Sequence, residues 1–143
     1  MRKMVLVSGY FNPIHKGHVD YLTSAKLSGD NLFVIVNSDH QVAIKGSTPF
    51  MDEKERLYIV KALGCVDQAM VSIDKDGSVC ETIKDIFNKY SLFYNLSFAN
   101  GGDRKDDNIP EYDLCEELGI EMLFNVGGGK TQSSSDLLSN LKD

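Results

Sequence analysis

The hydrophobic pattern of the chain switches repeatedly between two periods. Short apolar runs at 4–8, 32–36, 69–73, 96–100 and 121–125 have the length of buried strands. Between them, apolar residues recur at helical spacing. Val19, Leu22 and Ala25 share one face of a first helix, and Leu57, Val60 and Leu63 one face of a second. Val79, Ile83, Ile86, Phe87 and Tyr90 stripe a third, with Ser78 and Glu81 as a capping box at its start. Leu114, Cys115 and Leu118 stripe a fourth, with Pro110 near its first turn and Gly119 just past its end. A last helix is expected to begin in Ser133, Ser134 and Ser135 and to bury Leu137, Leu138 and Leu141.

Strands alternating with helices predict an α/β fold, a parallel sheet covered on both faces and wound by right-handed crossovers. In open sheets of this kind ligands bind beyond the carboxyl ends of the strands. Loops 9–16, 37–49, 101–108 and 126–132 fall there and carry the glycines and charges. The expected site is one crevice in a single domain spanning 1–143, with no repeat or linker.

Composition narrows the partners. Hydrophobic residues make up 42% of the 143 and charged residues 25%, as in a soluble globular domain. No apolar run approaches the ~20 residues of a membrane span. The apolar stretch 4–7 behind Met1, Arg2 and Lys3 is too short for a signal-peptide core, so a cytoplasmic location is expected. Cys65, Cys80 and Cys115 form no C-x-x-C pair and no metal-ligand spacing; they read as reduced, packed thiols rather than zinc ligands. The net charge of −6 argues against nucleic acid or an anionic membrane as partner. An anionic ligand must then be met locally, by the loop cations Lys16, Lys45, Arg104, Lys105 and Lys130.

The loop after the first strand is the most informative stretch. Gly9 lets the chain turn off the strand, Pro13 stiffens the loop, and His15 and His18 bracket the helix start at a spacing that puts both rings on one face. Gly17 between them removes a side chain where a ligand would approach. Free N–H groups and the positive end of the helix dipole favour an anion there. The pair reads as a phosphate-binding couple of imidazoles; H-x-x-H without a third ligand does not make a metal site.

Gly9-x-Phe11-Asn12-x-x-His15-x-Gly17-His18 resembles the signature of the cytidylyltransferase-like nucleotidyltransferases. The resemblance continues through Val36-Asn37-Ser38-Asp39, Ile44-Lys45-Gly46, Glu55-Arg56 and Gly101-Gly102-Asp103, in the order of the heptose-phosphate adenylyltransferase branch, with glycerol-3-phosphate cytidylyltransferase a relative by layout. Ser133, Ser134 and Ser135 resemble the hydroxyl-rich nucleotide motif before the last helix. Lys130 stands where the cytidylyltransferases carry an arginine, and lacks its fork. Arg104 after Asp103 looks more like pantetheine-phosphate adenylyltransferase.

This resemblance implies a Rossmann-like, doubly wound five-stranded sheet of order 3-2-1-4-5. It implies transfer of AMP or CMP from ATP or CTP to a phosphorylated small molecule, sugar or polyol phosphate favoured, in a homodimer. Magnesium is implied as the companion of the triphosphate rather than by a protein ligand set. A phosphate monoester attacks already as an anion, its second pKa being ~6, so catalysis needs positioning and charge stabilisation rather than a nucleophile motif. His15, His18 and Lys45 are the catalytic candidates. Gly9, Tyr10, Phe11, His15, Gly17, His18, Asp103, Arg104, Lys130, Ser133, Ser134 and Ser135 are the nucleotide-binding candidates. Lys45 and Arg56 are expected on the acceptor side, Arg56 there or in a structural role. Pantetheine-phosphate or nicotinate-mononucleotide adenylyltransferase, and a non-catalytic nucleotide sensor, are the alternatives. Gly129-Lys130-Thr131 is no P-loop, because Phe124 occupies the position that needs glycine, and no G-x-G-x-x-G follows the first strand.

Overall fold

The structure, a computed structural model, describes residues 1–101 and 110–126. Five strands, β1 (Arg2–Gly9), β2 (Asn31–Val36), β3 (Gln68–Val71), β4 (Tyr94–Gly101) and β5 (Glu121–Val126), form one sheet of order β3-β2-β1-β4-β5. Every pairing is parallel, with Leu6 opposite Phe33 on one side and Phe98 on the other. Both the strand order and the Rossmann-like architecture are those expected from the sequence.

Strand alternation splits the core into two layers. Met4, Leu6, Phe33 and Ile35 point to the face covered by α4 (Cys80–Tyr90) and α5 (Tyr112–Leu118), where Ile83, Ile86 and Cys115 meet them. Val5, Val7, Leu32, Val34 and Val36 point to the other face, against Leu22 and Ala25 of α1 (Lys16–Lys26) and Val60 of α3 (Glu53–Ala62). Each fully buried aliphatic side chain here is worth ~1.5–3 kcal/mol relative to exposure. Because both faces are covered, only the strand ends remain for a ligand. Among the described residues no helix is long and apolar enough to cross a membrane.

Three local expectations need correction. The stretch 37–49 is not all loop: it contains α2 (Asp39–Ile44), whose N-cap Ser38 and third residue Gln41 form a capping box. The third predicted helix starts without the Ser78–Glu81 box. Val79 takes the N-cap position, the Ser78 hydroxyl turns to Asp76 (2.8 Å), and Lys84 pairs with Glu81 (3.2 Å). Capping comes instead from Asp74, whose carboxylate accepts from the N–H of Glu81 (2.7 Å) and Thr82 (2.9 Å) and from the Thr82 hydroxyl. Gly9 does not serve a turn, as described below. Gly119 does close α5 in the left-handed region, at φ +77°. The predicted helix from Ser133 lies outside the described residues.

Cys115 is buried and Cys80 half-buried; burial pushes the Cys115 thiol up to about 12 and raises Cys80 as well, so both stay protonated at neutral pH.

Candidate active site

Beyond the carboxyl ends of β1 and β2 lies a cavity of about 190 Å³, lined by Tyr10, Phe11, Asn12, Pro13, His15, His18, Val42, Lys45 and Ser47. Its first wall is the loop leaving β1. Gly9 has no left-handed φ; it is needed for space. A Cβ there would lie 2.7 Å from Cζ of Phe11, whose ring folds back over the strand end. Phe11 is 2% exposed and adopts φ +50°, an unfavourable backbone for an aromatic residue that its packing holds in place.

The Phe11 ring in turn meets His18 edge-on at 5.1 Å, and His18 stacks on His15 with centroids 3.9 Å apart and planes 28° apart. His15 is the N-cap of α1 and His18 its third residue. The Nδ1 of His15 accepts from the Gly17 N–H (3.0 Å), and the Nδ1 of His18 accepts from the His15 N–H (3.1 Å). An accepting Nδ1 carries no proton, so each neutral ring holds its proton on Nε2. Among the described residues neither Nε2–H has a partner, and both rings line the cavity.

This arrangement changes what the helix end presents to the cavity. The N–H groups of Gly17 and His18 are already used, by the His15 ring and the His15 carbonyl (2.9 Å). The imidazoles therefore stand between the backbone donors and the cavity, accepting from the backbone on Nδ1 and leaving Nε2–H as the donor side. Burial, reinforced by the neighbouring His15, pushes His18 down to about 4 from its usual 6.5. At neutral pH His18 is an uncharged hydrogen-bond donor.

The second wall is α2. It presents Val42 and, from its C-cap, Lys45, whose ammonium sits 4.1 Å from the centroid of the Tyr10 ring. Asn12 joins this wall to the next segment: its Oδ1 accepts from the N–H of Phe50 (2.6 Å) and Met51 (3.3 Å), and its Nδ2 donates to the Thr48 carbonyl (3.0 Å). Gln41, fully buried, locks α2 to the chain before α4 by donating to the carbonyls of Asp76 and Ser78.

Arg56 does not contact the cavity, which corrects its placement on the acceptor side. Its side chain is fully buried and clamps the framework. It donates to the carbonyls of Tyr10 (2.8 Å), Asn37 (2.6 Å) and Met51 (2.9 Å) and pairs with Asp39 (2.7 Å). Lys16 is also turned away, paired with Asp20 at 2.7 Å. Thus His15, His18, Lys45, Tyr10 and Phe11 converge on one cavity; Gly9 leaves room for the Phe11 ring, and the Gly17 N–H fixes the His15 ring. Asp103, Arg104, Lys105, Lys130, Ser133, Ser134 and Ser135 lie outside the described residues. Asn12, Pro13, Val42 and Ser47 are wall residues absent from the sequence-based candidates. The S-x-x-Q capping pattern at 38–41 was the available signal for α2, and through it for Val42 and Lys45.

Residues 6–119 match the family described as cytidylyltransferase-like. The chain belongs to the cytidylyltransferase-like family. One relative, the bifunctional protein HldE of Geobacter metallireducens, is 33% identical over 141 residues, covering 94% of this chain and 26% of that protein. Another, the FAD synthase of Methanosarcina acetivorans, is 44% identical over 82 residues, 57% of this chain and 52% of that protein. The chain thus spans about a quarter and about half of these relatives. Among solved structures, the lipopolysaccharide core biosynthesis protein from Thermoplasma volcanium superposes with a TM-score of 0.70 at 25% identity, over 87% of this chain and 97% of that one. A putative nicotinate-nucleotide adenylyltransferase from Vibrio parahaemolyticus shares the fold, with a TM-score of 0.61 at 16% identity over 99% of this chain and 88% of that one. The matched segment of this cytidylyltransferase-like chain includes both walls of the cavity.

Proposed function

We propose that the chain is a nucleotidyltransferase that transfers AMP or CMP from ATP or CTP to a phosphorylated small molecule, with a sugar or polyol phosphate as the favoured acceptor. One observation carries this: two stacked imidazoles, whose Nε2–H groups have no partner among the described residues, face the same cavity as the Lys45 ammonium. Three donors converging on a small polar space suit phosphoryl oxygens.

A phosphate oxygen of the acceptor attacks the α-phosphorus, a new P–O bond forms, and the bond to pyrophosphate breaks with its electron pair leaving on pyrophosphate. The attacking oxygen is already ionised near neutral pH, so no base is needed. His15 and His18 donate through Nε2–H to the oxygens on which charge accumulates, and Lys45 offsets the repulsion between two anions by holding the acceptor phosphate. Among the described residues no carboxylate lines the cavity, and magnesium enters this reading as a companion of the triphosphate, which it would neutralise in part. A homodimer and a cytoplasmic setting accompany the assignment as proposals.

The test is pyrophosphate release with ATP and CTP, each against glycerol 3-phosphate, sugar 1-phosphates, phosphopantetheine, nicotinate mononucleotide and, because of the FAD synthase relative, FMN. His18→Ala is expected to lower turnover by at least about 100-fold, the usual cost of losing a transition-state donor. Near-normal turnover in the folded variant would remove His18 from the mechanism. Triphosphate binding with no pyrophosphate release across the panel would favour a nucleotide sensor.

A further inference from the structure

Lys45 is an unusual side chain for its setting. Its backbone is fixed: it is the C-cap of α2, followed by Gly46 at φ +91° and by the Ser47 N–H bonded to the Val42 carbonyl at 3.1 Å. Its side chain is exposed, and among the described residues no carboxylate pairs with it. A lysine on such a site would ordinarily sample many rotamers. Here the ammonium lies over the Tyr10 ring, 4.1 Å from the centroid.

The backbone that carries the ring is anchored. The Tyr10 carbonyl accepts from the buried Arg56 guanidinium (2.8 Å), and the next residue, Phe11, is locked in the core. Tyr10 comes from the loop after β1 and Lys45 from the helix after β2, so the contact bridges the two walls of the cavity. Burial, reinforced by the Glu111 carboxylate, raises the Tyr10 phenol above its usual range, so the ring stays neutral and acts through its face.

We propose that Tyr10 is a positioning residue: its ring face seats the Lys45 ammonium at the cavity and thereby prepares it for an anionic group. The proposal rests on the assignment of Lys45 as the acceptor-phosphate ligand. Seating reduces the rotamer freedom that anion binding would otherwise have to remove. A cation over an exposed ring gains enough to change anion affinity about three-fold.

The experiment uses the full chain and needs no turnover. Inorganic phosphate is titrated into the wild type, Tyr10→Phe, Tyr10→Leu and Lys45→Met, while the Lys45 ε-methylene proton shift is followed by NMR. The expected result is an upfield ring-current shift of the Lys45 signal in wild type and Tyr10→Phe, lost in Tyr10→Leu. The phosphate Kd should rise about three-fold in Tyr10→Leu and recover in Tyr10→Phe. An unshifted Lys45 signal in the wild type would overturn the proposal, because the seat would be absent. Equal phosphate affinity in wild type and Tyr10→Leu, with Lys45→Met weakened, would overturn the role of Tyr10 and leave Lys45 as the anion ligand. Equal affinity in Lys45→Met as well would overturn both.

Discussion

Replacing Arg56 with methionine tests the framework beneath the cavity. The guanidinium is fully buried and satisfies the carbonyls of Tyr10, Asn37 and Met51, while its charge is met by Asp39, whose side chain is 36% exposed. Methionine replaces the aliphatic stem but makes none of the bonds. Three carbonyls lose a donor, at ~1–3 kcal/mol for each that water cannot reach. Asp39 can regain water on its exposed side, which limits its share. Breaking a buried charged pair by removing one partner costs ~3–5 kcal/mol, and we expect Arg56→Met to fall in that range. That is a large part of the ~5–15 kcal/mol that holds an ordinary domain together. Urea unfolding followed by far-UV circular dichroism, with linear extrapolation, measures it directly. Arg56→Lys should recover only part of the loss. A single ammonium cannot span acceptors on three separate segments as the planar fork does. A loss below about 1 kcal/mol in Arg56→Met would refute the reasoning, since a surface or ligand-facing arginine behaves that way.

His18 titrates in the folded state near 4 rather than 6.5, so between those values the unfolded chain binds a proton that the native chain does not. Stability should therefore be unaffected by His18 above 6.5, decline as pH falls through the window, and level off near 4. Nitrogen-15 NMR of the ring should show Nε2 protonated and Nδ1 bare at neutral pH; the opposite tautomer would contradict the assigned hydrogen bond. Gly9→Ala forces its methyl against Phe11 at 2.7 Å and displaces His18 behind it. A destabilisation of ~1–3 kcal/mol is expected by thermal melting, together with a loss of phosphate affinity. Asp74→Ala removes the cap of α4 and should cost ~1–2 kcal/mol in urea unfolding; a neutral result would mean that the helix start is held elsewhere.

The sheet was legible because its signal is local and doubled. Residues 4–7 and 32–36 are apolar on both faces, as a covered parallel strand must be, and the two sets of side chains enter separate core layers. The imidazole pair was legible because His15 and His18 are three residues apart at a strand-to-helix turn. Their protonation pattern was not, because it depends on where the N–H groups of Gly17 and His15 point. Arg56 was ambiguous for a related reason. Its burial follows from carbonyls at positions 10, 37 and 51, which only the fold brings together. The six-residue α2 is too short to reveal a period, and Asp74 caps a helix that begins several residues later. Only for Arg56 did partners far apart in sequence decide the outcome; the imidazole tautomers and α2 rest on local geometry that residue types alone do not specify.

The imidazole pair owes its tautomers to the four residues His15–His18 alone, whereas Lys45 hangs on a separate short helix fastened through Gln41 to carbonyls at 76 and 78. Arg56 and the Tyr10–Lys45 contact tie the two walls together, but the hydrogen bonds that set the tautomers do not pass through α2. Remodelling α2 can exchange the cationic wall for another without disturbing the proton on either imidazole. On the proposed assignment of Lys45, a change of acceptor would fall on one six-residue helix while the hydrogen bonds of His15 and His18 stay as they are.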